Sequence, residues 1–181
     1  MAALGALLAL AAPKGWLDWQ PALGLVHPWR AVSAAWVHQS AQHLTMNLAG
    51  CALVALLGWR AYMAPRAVAA WALAWPMTHW GLWLQPTLQH YGGLSGVLHA
   101  AVAIIGCRLL AQHHEPRARA IGTLLAIGLV AKIVWEAPWS AALKTIEGWD
   151  FQLAPAAHAS GAVAGVVAWA LVGRQRDRAR A

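Results

Sequence analysis

Charged residues are scarce in this sequence. Asp, Glu, Lys and Arg make up 10% of the 181 residues, and hydrophobic residues make up 60%, whereas a soluble globular domain carries about 25% charged residues. A water-soluble domain is therefore excluded, and the composition indicates an integral membrane protein. Spans of roughly 20 residues each would use most of the chain. The length fits one domain and leaves no room for a second globular unit.

Cysteine is nearly absent as well. Cys51 and Cys107 both lie inside apolar runs, without polar neighbours that would activate a thiol. We interpret them as packing residues, and no disulfide framework is indicated. The run His113-His114-Glu115 lacks the His-Glu-xx-His spacing of a zinc site. No metal and no cofactor are predicted.

The basic residues carry a topology signal. The formal net charge is +7, but Lys and Arg do not form a stripe with interleaved aromatic residues, so no nucleic-acid partner is predicted. Nine of the thirteen basic residues fall in three regions between or after apolar runs: Arg60 and Arg66; Arg108, Arg117 and Arg119; and Arg174, Arg176, Arg178 and Arg180. The positive-inside rule places these regions, including the C-terminus, in the cytoplasm.

Six apolar segments are predicted, over residues 1–12, 44–59, 68–84, 94–110, 121–135 and 153–172. The first is too short to span, because it would cover roughly 18 Å of a hydrocarbon core roughly 30 Å thick. It is tilted, begins further upstream, or is a cleaved signal peptide, since Ala9-Leu10-Ala11 resembles a cleavage site. We divide the single domain 1–181 into this segment, an outer loop at 13–43, a five-helix remainder at 44–173 and a basic tail at 174–181.

Ser95 stands among glycines at the outer end of the fourth apolar segment. Gly92 and Gly93 let the backbone turn into the helix, and Gly96 permits close approach of a neighbouring helix; Gly93 and Gly96 are both counted among the predicted helix-packing glycines. Unpaired N–H groups at the helix N-terminus can bind a developing oxyanion. A lone serine in a membrane helix usually bonds to its own backbone, but these glycines make Ser95 a candidate nucleophile.

His158 lies at the corresponding end of the sixth segment, one turn before Gly161 and Gly165. The two glycines form a small-residue face for close helix packing, which explains them but does not explain the histidine. If the fourth segment is the partner, the imidazole reaches the Ser95 hydroxyl and acts as general base and then as general acid. Neither span has an Asp or Glu nearby, so a Ser–His dyad is predicted.

His43 and Asn47 are four residues apart and share one face of the second segment. They lie at the same depth as Ser95, counted at roughly 1.5 Å per residue. Imidazole and amide N–H groups are the side-chain donors of an oxyanion hole. Capping or hydrogen bonding between helices remains an alternative role for the pair.

Together these motifs resemble the rhomboid intramembrane serine proteases. The resemblance runs from about Pro28 to Gly173 and is carried by Trp29-Arg30, His43-xxx-Asn47, Gly93-Leu94-Ser95-Gly96 and His158-xx-Gly161-xxx-Gly165. It implies an all-α polytopic bundle of six transmembrane helices around a cavity open to the outer, periplasmic side. It also implies Ser95 as nucleophile, His158 as base, an oxyanion hole of His43, Asn47 and the Ser95 N–H, and a supporting first loop with Trp29 and Arg30.

The sequence departs from the common bacterial pattern at His99, where that pattern has a tyrosine packed against the catalytic imidazole. His99 would stack on His158 or compete for the Ser95 hydroxyl; bonding within its own helix favours His158 as base. The run from Gly93 to His99 and the short chain resemble the bacterial rhombosortases. That subgroup implies a multi-pass inner-membrane protein whose transmembrane substrates end in a Gly-Gly motif, a hydrophobic helix and a basic tail.

Three alternatives stay open. A general rhomboid protease would cleave other single-span substrates. A non-catalytic relative would bind transmembrane segments without cutting them, but it would normally lack the serine or the histidine. A small transporter would use intramembrane histidines as proton relays, although it needs neither Asn47 nor glycines around Ser95, and no internal repeat is visible.

Overall fold

The computed structural model describes residues 14–173. The predicted short first segment at 1–12 and the basic tail at 174–181 lie outside the described residues. The described chain is mostly helical, as the composition indicates for a membrane protein. Its one sheet consists of two short antiparallel strands, β1 (Lys144–Thr145) and β2 (Gln152–Leu153).

Five long helices follow an irregular N-terminal loop. The loop contains two single-turn helices, α1 (Lys14–Leu17) and α2 (Arg30–Ser33), and 3-10 turns at Pro21–Leu23 and Ala34–Trp36. The long helices are α3 (Ala41–Arg60), α4 (Pro65–Trp80), α5 (Ser95–Leu110), α6 (Pro116–Glu136) and α7 (Pro155–Ala168). A π-helical turn at Trp169–Gly173 extends α7, and a 3-10 turn at Gly81–Leu84 follows α4.

The five predicted segments from residue 44 onward correspond to these five helices. Within residues 14–173, three helices are both long and apolar enough to cross a membrane: Ala41–Arg60, Pro116–Glu136 and Pro155–Gly173. The helix Ser95–Leu110 is apolar but shorter. The count of six spans stays a prediction. The first loop ends earlier than expected, because α3 begins at Ala41 rather than near Leu44.

Local sequence sets the helix ends that surround the candidate site. Ser40 caps α3 by accepting a hydrogen bond from the His43 backbone N–H at 3.1 Å. Pro155 occupies the first helical position of α7, where a missing N–H costs nothing. Ala137 ends α6 in the left-handed conformation, with φ of 44°.

Helices α5 and α7 touch at backbone distance. A Cβ atom added at Gly161 would lie 1.9 Å from the carbonyl oxygen of Gly96, and one added at Gly165 would lie 2.4 Å from that of Ala100. Only glycine leaves room for this approach. The contact fixes the side of α7 that faces α5, and this side carries His158.

Buried polar contacts join the first loop to the chain just before Ser95. Trp19 and Tyr91 exchange two backbone hydrogen bonds, of 2.8 and 2.9 Å. The Arg30 guanidinium donates to the carboxylate and carbonyl of Asp18 at 2.9 and 2.8 Å. Asp18 in turn accepts a hydrogen bond from His90 at 2.6 Å. The loop therefore supports the turn that leads into α5.

The strand-bearing loop between α6 and α7 is joined to the start of α3. Ser40 donates to the Asp150 carboxylate at 2.5 Å, and the Asp150 N–H donates to the Gln42 side chain at 2.9 Å. The Gln39 side chain makes two further bonds with the Gln152 backbone, at 3.0 and 3.2 Å. These contacts set Phe151 beside His43, with the two rings stacked 4.3 Å apart.

Candidate active site

Ser95 and His158 are in direct contact. Ser95 is the first residue of α5 and His158 lies in the first turn of α7. The distance from Ser95 Oγ to His158 Nε2 is 2.9 Å. The His158 side chain is 4% exposed. Ser95 and His158 therefore meet across two abutting helices, as the sequence motifs predict.

The expectation that no acidic residue accompanies this pair is wrong. His158 Nδ1 donates a hydrogen bond to Oε2 of Glu136 at 2.6 Å. Glu136 ends α6, a helix outside the two spans from which the dyad was inferred. The site therefore contains a Ser–His–Glu chain of hydrogen bonds, and a bare dyad does not describe it.

His99 stacks on His158 and does not bond to the serine hydroxyl. The two rings lie 4.0 Å apart and are inclined by 10°. His99 Nδ1 donates to the backbone carbonyl of Ser95 at 2.7 Å, one helical turn earlier. Of the two predicted arrangements, stacking is the one present. His99 is therefore a residue that packs against the His158 imidazole in this chain.

His43 and Asn47 present donors at the same level. His43 Nδ1 accepts the Gln39 backbone N–H at 3.3 Å, so its Nε2 carries the proton. Asn47 is 4% exposed, and its Nδ2 has no hydrogen-bond partner among the described residues. A buried amide without a partner is costly unless a ligand satisfies it. Both residues line the same cavity as Ser95 and His158.

The glycines that precede and follow Ser95 have different roles. Gly96 packs helices as predicted, since an added Cβ would lie 2.7 Å from the Ala157 carbonyl oxygen. Gly93 was predicted both to let the backbone turn and to pack helices; the turn is present, but the atoms nearest to Gly93 belong to side chains and not to a helix backbone. It lies in the turn before α5 with φ of 141°, and an added Cβ would lie 2.9 Å from His43 Nε2. Glycine is needed there for the backbone conformation and for the space beside the imidazole.

Tyr91 fixes this turn from inside. It is 6% exposed, and its hydroxyl donates to the Gly93 carbonyl at 3.2 Å. Burial raises the pKa of Tyr91 to about 12, so the phenol keeps its proton and remains a donor. The Gly93 N–H donates in turn to the Ala34 carbonyl at 3.0 Å. The backbone just before Ser95 is therefore held on both sides.

One cavity of about 480 Å³ includes the reactive groups. It is polar where Ser95, His158, His43, Asn47 and His99 meet. It is apolar between α3 and α6, where Met46, Leu53, Val54, Leu124, Leu125 and Leu129 line it. Lys132 also lines the cavity, and its ammonium pairs with the Glu136 carboxylate. The cavity therefore combines a polar end with an apolar wall.

The two predicted supporting residues of the first loop differ in environment. The Arg30 side chain is 7% exposed and is bonded within the loop, so it is structural. Trp29 is 52% exposed, and its ring lies 4.6 Å from that of His27. An exposed tryptophan in a membrane protein fits an interfacial position. Neither residue touches Ser95 or His158.

Three residues of the site escaped the sequence analysis: Glu136, Tyr91 and Phe151. The sequence analysis did not single out Glu136, although an acidic residue at the end of a largely apolar helix was a usable signal. Tyr91 and Phe151 lie in irregular segments, where no periodicity marks a buried face. Only the folded loops bring them to the site.

Comparison with known proteins supports the grouping indicated by the motifs. No curated protein matches the chain. The family described as Rhomboid domain matches residues 26–175, which include every residue of the site described above. Because the match covers most of the sequence, the chain belongs to the rhomboid family, whose members are generally intramembrane serine proteases.

Proposed function

We propose that this rhomboid protein is an intramembrane serine endopeptidase that cuts a substrate transmembrane segment near its outer end. The observation that carries the proposal is the 2.9 Å contact between Ser95 Oγ and His158 Nε2 in a cavity that also holds the unpaired Asn47 amide. A nucleophile, a base within hydrogen-bond reach and donors for an oxyanion are the parts that acyl transfer needs.

The reaction follows from these positions. Ser95 Oγ attacks the substrate carbonyl carbon while His158 Nε2 takes the hydroxyl proton. When the tetrahedral intermediate collapses, the C–N bond breaks and the proton passes from Nε2 to the departing amine. Water then attacks the acyl ester with the same histidine as base, which restores the Ser95 hydroxyl.

The developing oxyanion would be held by Asn47 Nδ2, His43 Nε2 and the Ser95 backbone N–H. The Asn47 amide supports this role because it is buried without a partner, and the Ser95 N–H lies at a helix N-terminus. Such donors are fixed before the reaction, so no solvent has to reorganise when charge appears on the oxygen.

The positive-inside rule supports a periplasmic active site. Within the described chain, five arginines lie at the helix ends away from Ser95: Arg60, Arg66, Arg108, Arg117 and Arg119. Arg108 donates to the Ala61 and Tyr62 carbonyls at 3.1 and 2.7 Å, which joins two of these ends. With this end in the cytoplasm, the cavity opens toward the periplasm in the inner membrane of a bacterium, and the C-terminus is cytoplasmic.

We propose substrates with a C-terminal Gly-Gly motif, a hydrophobic helix and a basic tail. The subgroup resemblance motivates this class, and the physics suits it. A peptide bond inside a helix is shielded by its own hydrogen bonds, and glycine makes local unwinding cheaper by about 1 kcal/mol per residue relative to alanine. An unwound segment can then reach Ser95.

The test uses the purified full-length protein in proteoliposomes with two single-span substrates. One carries the Gly-Gly tail, and the other has leucines in place of the two glycines. We expect a cut near the outer end of the first, read by mass spectrometry, and modification of Ser95 by a fluorophosphonate. The exposed Ser140 is the internal control and should stay unlabelled.

The outcomes separate the two levels of the proposal. Equal cutting of both substrates would overturn the Gly-Gly assignment and leave the protease function standing. An uncut pair together with an unlabelled Ser95 would overturn the protease function itself, and a non-catalytic binding protein would then be the better description.

Removing the oxyanion donors should slow the chemical step. We expect Asn47→Ala and His43→Ala each to lower kcat by about 10²- to 10³-fold, with a small change in KM because the donors act mainly in the transition state. Thr45→Ala is the matched control on α3, since Thr45 is exposed and its hydroxyl donates to the Ala41 carbonyl. An increase in KM with normal kcat would assign both residues to substrate binding instead.

A further inference from the structure

Glu136 is held in place by several contacts at the end of α6. Its side chain is 10% exposed. Oε2 accepts the His158 bond of 2.6 Å, and Oε1 accepts from the Lys132 ammonium. Its backbone carbonyl accepts from Lys144 Nζ at 2.5 Å. A largely buried carboxylate is tolerated only when paired, and both oxygens are paired here.

The carboxylate decides which nitrogen of His158 carries the proton. An ionised carboxylate only accepts hydrogen bonds, so Nδ1 must be protonated. Nε2 then keeps its lone pair, and the Ser95 hydroxyl at 2.9 Å donates to it. The opposite tautomer would leave Nε2 protonated and unable to take the serine proton. The stacked ring of His99 restricts the imidazole plane but does not choose between the tautomers.

We propose that Glu136 is a positioning residue that completes a Ser95–His158–Glu136 triad. This inference rests on the proposed protease function and deepens it. Glu136 holds the reactive tautomer of His158 before attack. When Ser95 gives its proton to Nε2, the carboxylate stabilises the imidazolium and remains ionised. The proton then leaves for the amine of the departing peptide, and Glu136 neither gains nor loses one.

Lys132 makes the proposal testable with one substitution. In Glu136→Gln the new amide has one acceptor oxygen and one donor NH2. Lys132 offers only donors, so it attracts the amide oxygen and leaves the NH2 facing His158 Nδ1. A donor at that place favours the tautomer protonated at Nε2. Glu136→Gln keeps the size and shape of the side chain, so its effect on the structure should be small. It should nevertheless lower kcat strongly, because it favours the unreactive tautomer of His158.

The experiment measures kcat and KM of three variants with the Gly-Gly substrate. Glu136→Gln should lower kcat by about 10²- to 10⁴-fold, as a wrong tautomer does in serine proteases, and Glu136→Ala should be no worse. Glu136→Asp should recover part of the loss because it keeps an acceptor. KM should change little. Glu147→Gln removes an exposed carboxylate in the following loop and should behave as wild type.

A purely structural role predicts the reverse order. Glu136→Gln would then stay near wild type while Glu136→Ala lost stability, and that result would overturn the proposal. Nitrogen NMR of histidine-labelled protein gives a second measurement that leaves Glu136 unchanged, with the His158 signal assigned by comparing wild type with His158→Asn. The signal missing in His158→Asn should show a neutral ring protonated at Nδ1; protonation at Nε2 alone would also overturn it. If wild type neither cuts nor takes the probe, the protease function fails, which is a different result.

Discussion

Replacing His158 with alanine is expected to lower kcat by about 10⁴- to 10⁶-fold. The imidazole Nε2 lies within hydrogen-bond reach of Ser95 Oγ, and without it the hydroxyl loses the base that takes its proton. Ser95→Ala should have an effect of the same order, because the covalent step is lost. Cleavage of the single-span substrate in proteoliposomes measures both.

The two losses should not add. Residues that act as one unit lose their joint effect when either is removed, so the double variant Ser95→Ala/His158→Ala should be about as slow as each single variant. His113→Ala is the control, because His113 is an exposed histidine at the other end of the helices. Appreciable cleavage by His158→Ala would point to His99 as an alternative base, since the two rings are 4.0 Å apart.

The substitution Gly161→Ala is expected to destabilise the bundle and to abolish cleavage together. The added Cβ would lie 1.9 Å from the Gly96 carbonyl oxygen. Overpacking typically costs about 1 to 3 kcal/mol, and here the obstacle is backbone that cannot rotate away. We expect the upper end of that range, which corresponds to a fall in Tm of roughly 6 °C or more. Displacing α7 also moves His158 away from Ser95.

Two other glycines calibrate this prediction. Gly165→Ala should destabilise less, because its Cβ would lie 2.4 Å from the Ala100 carbonyl oxygen. Gly128→Ala in α6 meets no atom within 4 Å, so its Tm should stay the same or rise through better helix propensity. Thermal unfolding in detergent, followed by circular dichroism, measures all three. A Gly161→Ala protein as stable as Gly128→Ala would contradict the close α5–α7 contact.

Several features of the fold and site could be predicted from the sequence. The low charge content and the apolar runs identify a membrane protein, and the five later segments match helices. The glycines around Ser95 and after His158 indicated that two helices approach closely, and they do. These predictions succeed because hydropathy, glycine spacing and Arg placement are local properties that one stretch of chain displays by itself.

The sequence by itself determined that the protein enters a membrane and which helices carry the serine, the histidine and the donor pair. Only the tertiary structure decided that Glu136 meets His158, that Gly93 leaves room for the His43 imidazole, and that His99 stacks on the His158 ring. The physical reason is that these contacts join segments distant in sequence through irregular loops or helix ends. The geometry of these contacts depends on how α5, α6 and α7 pack, and the periodicity of the sequence does not predict that packing.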